Sequence, residues 1–160
     1  MLDKGRVRRA FEKLVNPETV ELLLREGAER QPLKQARIEF VLAFVKGDNS
    51  ARVAQHMARV ADLAIAHGGV VHDLVGGLVV VAFGTHPALS VESKGRPALV
   101  DALQREFAGD VKIVHGAADG HYGLVGSEGR MSYTFLVPKF DEMLGALGRL
   151  GFGQIEEFQQ

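Results

Sequence analysis

The stretch LVGGLVVVAFG, residues 74–84, constrains the fold more than any other. Two apolar runs flank a Gly-Gly pair. A two-residue connection between such runs is the signature of a tight β-hairpin, because both turn residues need positive φ. The following run, Leu78 to Phe83, has no polar residue. A strand of that kind is covered on both faces, so the hairpin belongs to a sheet inside a larger domain.

The elements around the hairpin follow from periodicity and punctuation. ARIEFVLAFVKG reads as a central strand, with a nearly continuous apolar run from Phe40 to Val45. Asp48-Asn49-Ser50 supplies a helix cap. Val53, Met57, Val60 and Ala64 then recur at helical spacing until Gly68-Gly69. After the hairpin, THPALSVESKG reads as a loop and RPALVDALQREFAG as a helix with Pro97 in its first turn. VKIVHGAADGHYGLVGSEGRMSYTFLV reads as strand, glycine-rich turns and strand. KFDEMLGALGRLGF reads as a helix weakened by Gly145 and Gly148. The order β-α-β-β-α-β predicts an α+β domain of the ferredoxin-like, split-βαβ kind. Residues 1–30 are expected to be a separate helical segment, and 36–160 one globular unit. In that segment Val7, Phe11 and Leu14 share a helical face. Asn16 and Pro17 open a second helix whose apolar face is Val20, Leu23 and Leu24, and Gly27 ends it.

Composition removes several function classes. The 160 residues include 19 basic and 20 acidic side chains, so no basic excess marks a nucleic-acid surface. There is no cysteine, which excludes disulfides, thiolate catalysis and thiolate metal sites. No apolar run approaches the ~20 residues of a membrane helix, and the charged N-terminus does not resemble a signal peptide. A cytoplasmic protein without direct membrane insertion is expected.

Three phrases, in order, resemble the class III adenylate/guanylate cyclase catalytic domain. IAHGGVVHDLVGGLVVVAFG parallels the family's hairpin phrase. GLVGSEGRMSYTFLVPKFDEMLGAL parallels its VGSEGRM block and the helix beyond. LVNPETVELLL resembles the helical lead-in before many bacterial cyclase domains. The resemblance implies a cyclase-homology fold and a head-to-tail homodimer with sites at the interface. It also implies which positions would carry the chemistry. Two acids that hold two divalent cations on a triphosphate fall on Phe44 and Gly77. The base-selecting Lys falls on Asp73 and its partner on Pro138. The ribose-orienting Asn falls on Asp141 and the transition-state Arg on Gly145.

None of these six residues can do the corresponding work. Phe44 and Gly77 have no side-chain oxygen. Asp73 and Asp141 add negative charge where a triphosphate needs neutralising. Gly145 removes a charge-stabilising donor of a kind typically worth ~3 kcal/mol. The expectation is therefore a pseudo-cyclase with no cofactor or metal, in which nucleotide binding is not expected. The groove at Phe44, Asp73, Gly77, Asp141 and Gly145 would be made more apolar and less cationic, as a protein-binding or dimerisation surface requires. The alternative is a non-catalytic nucleotide or small-ligand sensor in that groove, for which the glycines of GLVGSEGR offer backbone donors. A third reading, an altered enzyme using His115, Asp119 or His121, matches no metal-site spacing. His56 and His67 share a helix face, where a surface or dimer contact is expected.

Overall fold

A strand buried on both faces must sit inside its sheet, and β1 (Lys34–Val45) does. Its even-numbered side chains Ile38, Phe40 and Leu42 enter one core, and its odd-numbered Val41, Ala43 and Val45 enter the other. The computed structural model describes residues 33–85, 95–127 and 130–159. The N-terminal helices read from the sequence, and most of the connection before the second helix, lie outside the described residues.

After β1, Asn49 caps helix α1 (Ser50–Ala66): its side-chain oxygen accepts the Arg52 amide at 2.9 Å. The hairpin β2 (Val70–Val75) and β3 (Leu78–Phe83) follows as read. Its turn residues Gly76 and Gly77 have φ of 58° and 99°, the all-positive geometry of a type I′ turn. Helix α2 spans Gly95–Phe107, and a single 3₁₀ turn leads into β4 (Val111–Ser127). β5 (Arg130–Leu136), α3 (Phe140–Arg149) and β6 (Ile155–Gln159) complete the described order. The sheet runs β2-β3-β1-β4-β5, all antiparallel. β6 lies parallel on the same edge of β4 that β5 uses further along.

Helices α1 and α2 cover the odd face of β1 with Val60, Ala64, Leu99, Val100 and Leu103. Met143, Ala146 and Leu147 of α3 cover the even face, together with Tyr133 and Phe135 of β5. The βαββαβ order and the α+β class are as the sequence predicts.

Two points differ. The glycine-rich run HGAADGHYG is not a set of turns but the middle of one continuous 17-residue strand. Its glycines serve close approach instead. A Cβ on Gly116 would overlap the Phe158 carbonyl oxygen of β6, and one on Gly120 would overlap the Leu136 carbonyl oxygen of β5. The second difference is β6, a short segment that the sequence reading leaves unassigned.

The first point yields a test. Gly116→Val should push β6 off β4, since the obstructing atom is backbone and cannot rotate away. Amide exchange in Ile155–Phe158 should rise to near the unprotected rate, with an overall cost of about 2 kcal/mol. Unchanged protection would refute this account of the glycine.

Candidate functional site

Register brings the two expected metal-acid positions together. Phe44 is the penultimate residue of β1 and pairs with Leu78, the first residue of β3. The Val45 amide donates to the Gly77 carbonyl at 3.0 Å, tying the strand end to the hairpin turn. A Cβ on Gly77 would lie 3.4 Å from the Phe44 ring and 3.0 Å from the Val45 carbonyl oxygen. Two positions 33 apart in the chain thus share one small volume, and the Phe44 ring occupies part of it.

What surrounds Phe44 is cationic. Across the sheet it pairs with Lys112, whose ammonium lies 5.3 Å from the Phe44 ring centre. Phe152, just beyond α3, tilts against Phe44 with ring centres 6.2 Å apart. Lys112 and Lys46 both lie over the Phe152 ring, at 5.2 and 4.9 Å. These are cation–π distances. Lys112 also donates to the Leu150 carbonyl at 3.3 Å, and Lys46 reaches Asp110 at 3.9 Å. This end of the groove carries two ammonium groups. Lys112 escaped notice because strand register, not sequence proximity, brings it to Phe44.

This residue set does not fit a pair of divalent cations. Phe44 and Gly77 supply no side-chain oxygen, and the Lys112 ammonium beside Phe44 repels a metal at the same place. Among the described residues no group of three or more His, Asp or Glu side chains could hold a metal.

The other expected positions lie on other elements. Asp73 is exposed on β2 beside a bulge, and its carboxylate accepts the Leu74 amide at 2.9 Å. Pro138 is exposed between β5 and α3. Asp141 is exposed in the first turn of α3, and Gly145 follows one turn later. The Arg149 guanidinium, from the next turn, lies 3.3 Å from where a Gly145 Cβ would be. Phe44 and Gly77 are the pair whose proximity the strand register fixes.

Next to Lys46 is a polar cavity of 410 Å³ lined by Lys46, Gly47, Asp48, Arg52, His56 and Asp110. His56 Nδ1 is 2.8 Å from the Lys46 carbonyl, so it ties α1 to the end of β1.

Of the residues considered for an altered enzyme, His115 and Asp119 have separate partners. His115 Nδ1 accepts from Arg96 at 2.8 Å, and Arg96 also donates to Glu39 at 2.9 Å. Burial, and then the Arg96 charge, push the His115 pKa down. Asp119 pairs instead with Arg37 at 3.3 Å, about 13 Å further along the strand at 3.3 Å per residue. His67 Nδ1 lies 2.7 Å from the Leu63 carbonyl, inside its own helix end.

His72 holds a position that no linear signal in the sequence reveals. It sits at the β2 bulge, with Nδ1 2.9 Å from the Tyr133 carbonyl and Nε2 2.9 Å from the Thr85 hydroxyl. Because a carbonyl only accepts, Nδ1 carries the proton and Nε2 accepts from Thr85. The ring stacks on Tyr133, and the Tyr133 hydroxyl donates to the Thr85 carbonyl. β2 and β5 are opposite ends of the five-strand path, so His72 joins the two edges of a curled sheet.

Comparison with known proteins places this architecture. No protein-family profile matches the sequence, and no curated protein does. Solved structures do match. The adenylyl cyclase CyaB from P. aeruginosa shares 14% identity and covers 78% of each chain, with a TM-score of 0.58. The guanylyl cyclase Cya2 shares 18% identity over 78% of this chain and 76% of its own, with a TM-score of 0.63. The catalytic core of a rhodopsin-guanylyl cyclase, bound to ATPalphaS, shares 7% identity over 80% of each chain, with a TM-score of 0.65. The chain has the class III cyclase catalytic-domain fold. Within this fold, Phe44 and Gly77 are neighbours in space, and neither is an acid.

Proposed function

We propose that this cyclase-like domain makes no cyclic nucleotide and works as a cytoplasmic regulatory module, through a homodimer and a protein partner. The observation that carries this reading is the packing of Phe44 against Gly77, with Lys112 alongside. Metal-assisted attack on a triphosphate needs fixed anions there, and an apolar ring beside an ammonium is the opposite chemistry. Exposed Val75 and Phe152 give the same region an apolar surface of the kind association uses.

Purified protein incubated with ATP or GTP and magnesium or manganese should form no more cyclic nucleotide than a buffer blank. Its mass in solution should be twice the monomer mass. Product that disappears on Phe44→Ala would overturn the inactive assignment. A monomer at all concentrations would overturn the dimer.

The polar cavity beside Lys46, with Arg52 and His56 on its wall, favours a second reading as a non-catalytic sensor of a small anion or nucleotide. Binding to the native state would raise the melting temperature. No shift with millimolar ATP, GTP or inorganic phosphate would remove that reading.

A further inference from the structure

Titratable side chains from four elements meet on the helix-covered face of the sheet, away from Phe44. Arg96, the second residue of α2, is their centre. Its Nε donates to Glu39 Oε1 of β1 at 2.9 Å. Its Nη1 lies 2.8 Å from His115 Nδ1 of β4 and 3.4 Å from Glu157 Oε2 of β6. His115 Nδ1 is 3.9 Å from that same Glu157 oxygen. The Arg96, Glu39 and His115 side chains are only 13%, 17% and 12% exposed, against 46% for Glu157.

The chemistry of these partners fixes the proton. A guanidinium only donates, and it stays charged. His115 Nδ1 must therefore accept, so the ring is neutral with its hydrogen on Nε2. Protonation of Nδ1 removes the lone pair that Arg96 uses and sets two cations against each other in an enclosed place. The new N–H then has Glu157 Oε2 beside it. Among the described residues, the charged groups facing the ring are Arg96 from α2 and Glu157 from β6, with Glu39 of β1 behind Arg96. Its same-face neighbours on β1 and β4 are Val41, Ile113 and Ala117, which do not titrate.

We infer that His115 is a proton-operated latch on the start of α2. Neutral, it shares Arg96 with Glu39 and ties the helix to β1 and β4. Protonated, it turns to Glu157, and Arg96 keeps Glu39 but loses β4. The first turn of α2 is then loosened while β6 gains an ion pair. Burial, and then the Arg96 charge, lower the His115 pKa, and Glu157 raises it. The latch is therefore closed at pH 7 and opens on the acid side of the ordinary value near 6.5. It is separate from the His72 bond, which packs with Tyr133 and Phe135 on the opposite face. It does not depend on whether the domain makes cyclic nucleotide.

Ring-nitrogen NMR shifts of the full-length protein should show the Nε2–H tautomer of His115 at pH 7. Arg96→Gln should raise the His115 titration midpoint and Glu157→Gln should lower it, since one removes a repelling charge and the other an attracting one. Amide exchange reads the helix. By helical pairing the Leu99 and Val100 amides bond the Gly95 and Arg96 carbonyls. Their protection should fall about tenfold between pH 7 and the acid side of the midpoint. In His115→Gln the side-chain oxygen can accept from Arg96 at every pH, so that fall should be absent. His72 titrates in both proteins, so the difference between them belongs to His115. In wild type the β6 amides should keep their protection across the midpoint, and α2 measured against β6 gives the same readout should His115→Gln not fold. An Nδ1–H tautomer at pH 7, or midpoints that do not move in opposite directions, would overturn the latch. So would α2 protection that follows the same course in wild type and His115→Gln, or that follows β6.

Discussion

Restoring the two acids, Phe44→Asp with Gly77→Asp, should destabilise the chain by about 4–5 kcal/mol and yield no cyclic nucleotide. Phe44 is partly buried against the core that α3 covers. Truncating it and placing a carboxylate there should cost about 3 kcal/mol, even with Lys112 nearby to pair with the new charge. At Gly77 the backbone has φ of 99°, where a side chain is strained by about 1–3 kcal/mol. Its Cβ would press on the Val45 carbonyl oxygen at 3.0 Å, and that carbonyl repels a carboxylate. The loss is a large share of a domain stability that is typically ~5–15 kcal/mol. Urea unfolding of the single and double variants measures it, with Phe44→Leu as the control at about 1 kcal/mol. Activity should stay absent because Gly145 and Asp141 still lack the groups that resemblance places there. A double variant that unfolds at the wild-type urea concentration and makes cyclic nucleotide would refute both halves of the argument. The expected loss of stability without any gain of activity would instead mark a site rebuilt around Phe44, not merely emptied of acids.

What was legible in the sequence depended on how local the physics is. The hairpin turn could be read because a two-residue connection demands positive φ, and only Gly76 and Gly77 supply it without strain. The α1 cap could be read because Asn49 bonds an amide three residues away. Double burial of β1 could be read from its unbroken apolar run. The strand through HGAADGHYG could not. A glycine that admits a neighbouring backbone looks the same in sequence as a glycine that turns the chain. Gly116 and Gly120 reveal their role only once β6 and β5 lie against them. The candidate site divides the same way. Motif spacing pointed to Phe44 and Gly77, and register made them neighbours. Lys112 and Phe152 join them through pairing across β1 and β4 and through the turn after α3, neither of which leaves a linear signal. The net charge near zero also concealed a local pair of cations.

Acid should weaken this fold through His72. Enclosure among Tyr133, Phe135 and Thr85 pushes its pKa down to about 4, burial being the main cause. In the unfolded chain the imidazole returns to its ordinary value near 6.5. Between those values the unfolded state binds a proton that the folded state refuses, so stability falls as pH falls. The loss begins near pH 6.5 and is complete near pH 4, reaching up to about 3 kcal/mol at 1.36 kcal/mol per pKa unit. His115 is shifted in the same direction and contributes to the wild-type slope, so a difference between variants is needed. His72→Asn keeps a donor for the Tyr133 carbonyl and has nothing to titrate. It should cost about 1–2 kcal/mol at pH 7 through the lost Thr85 contact. Its stability should then fall more slowly than wild type below pH 6.5, so the two curves converge or cross toward pH 4. Parallel curves from urea titrations across this range would mean that His72 does not set the acid limit. Convergence would identify the bond between the sheet's two edges as the fold's pH-sensitive point. The His72 bond couples strands β2 and β5 at opposite ends of the strand path. Protonation would therefore loosen the closure of the sheet over Tyr133 and Phe135 before it disturbs the helices on the other face.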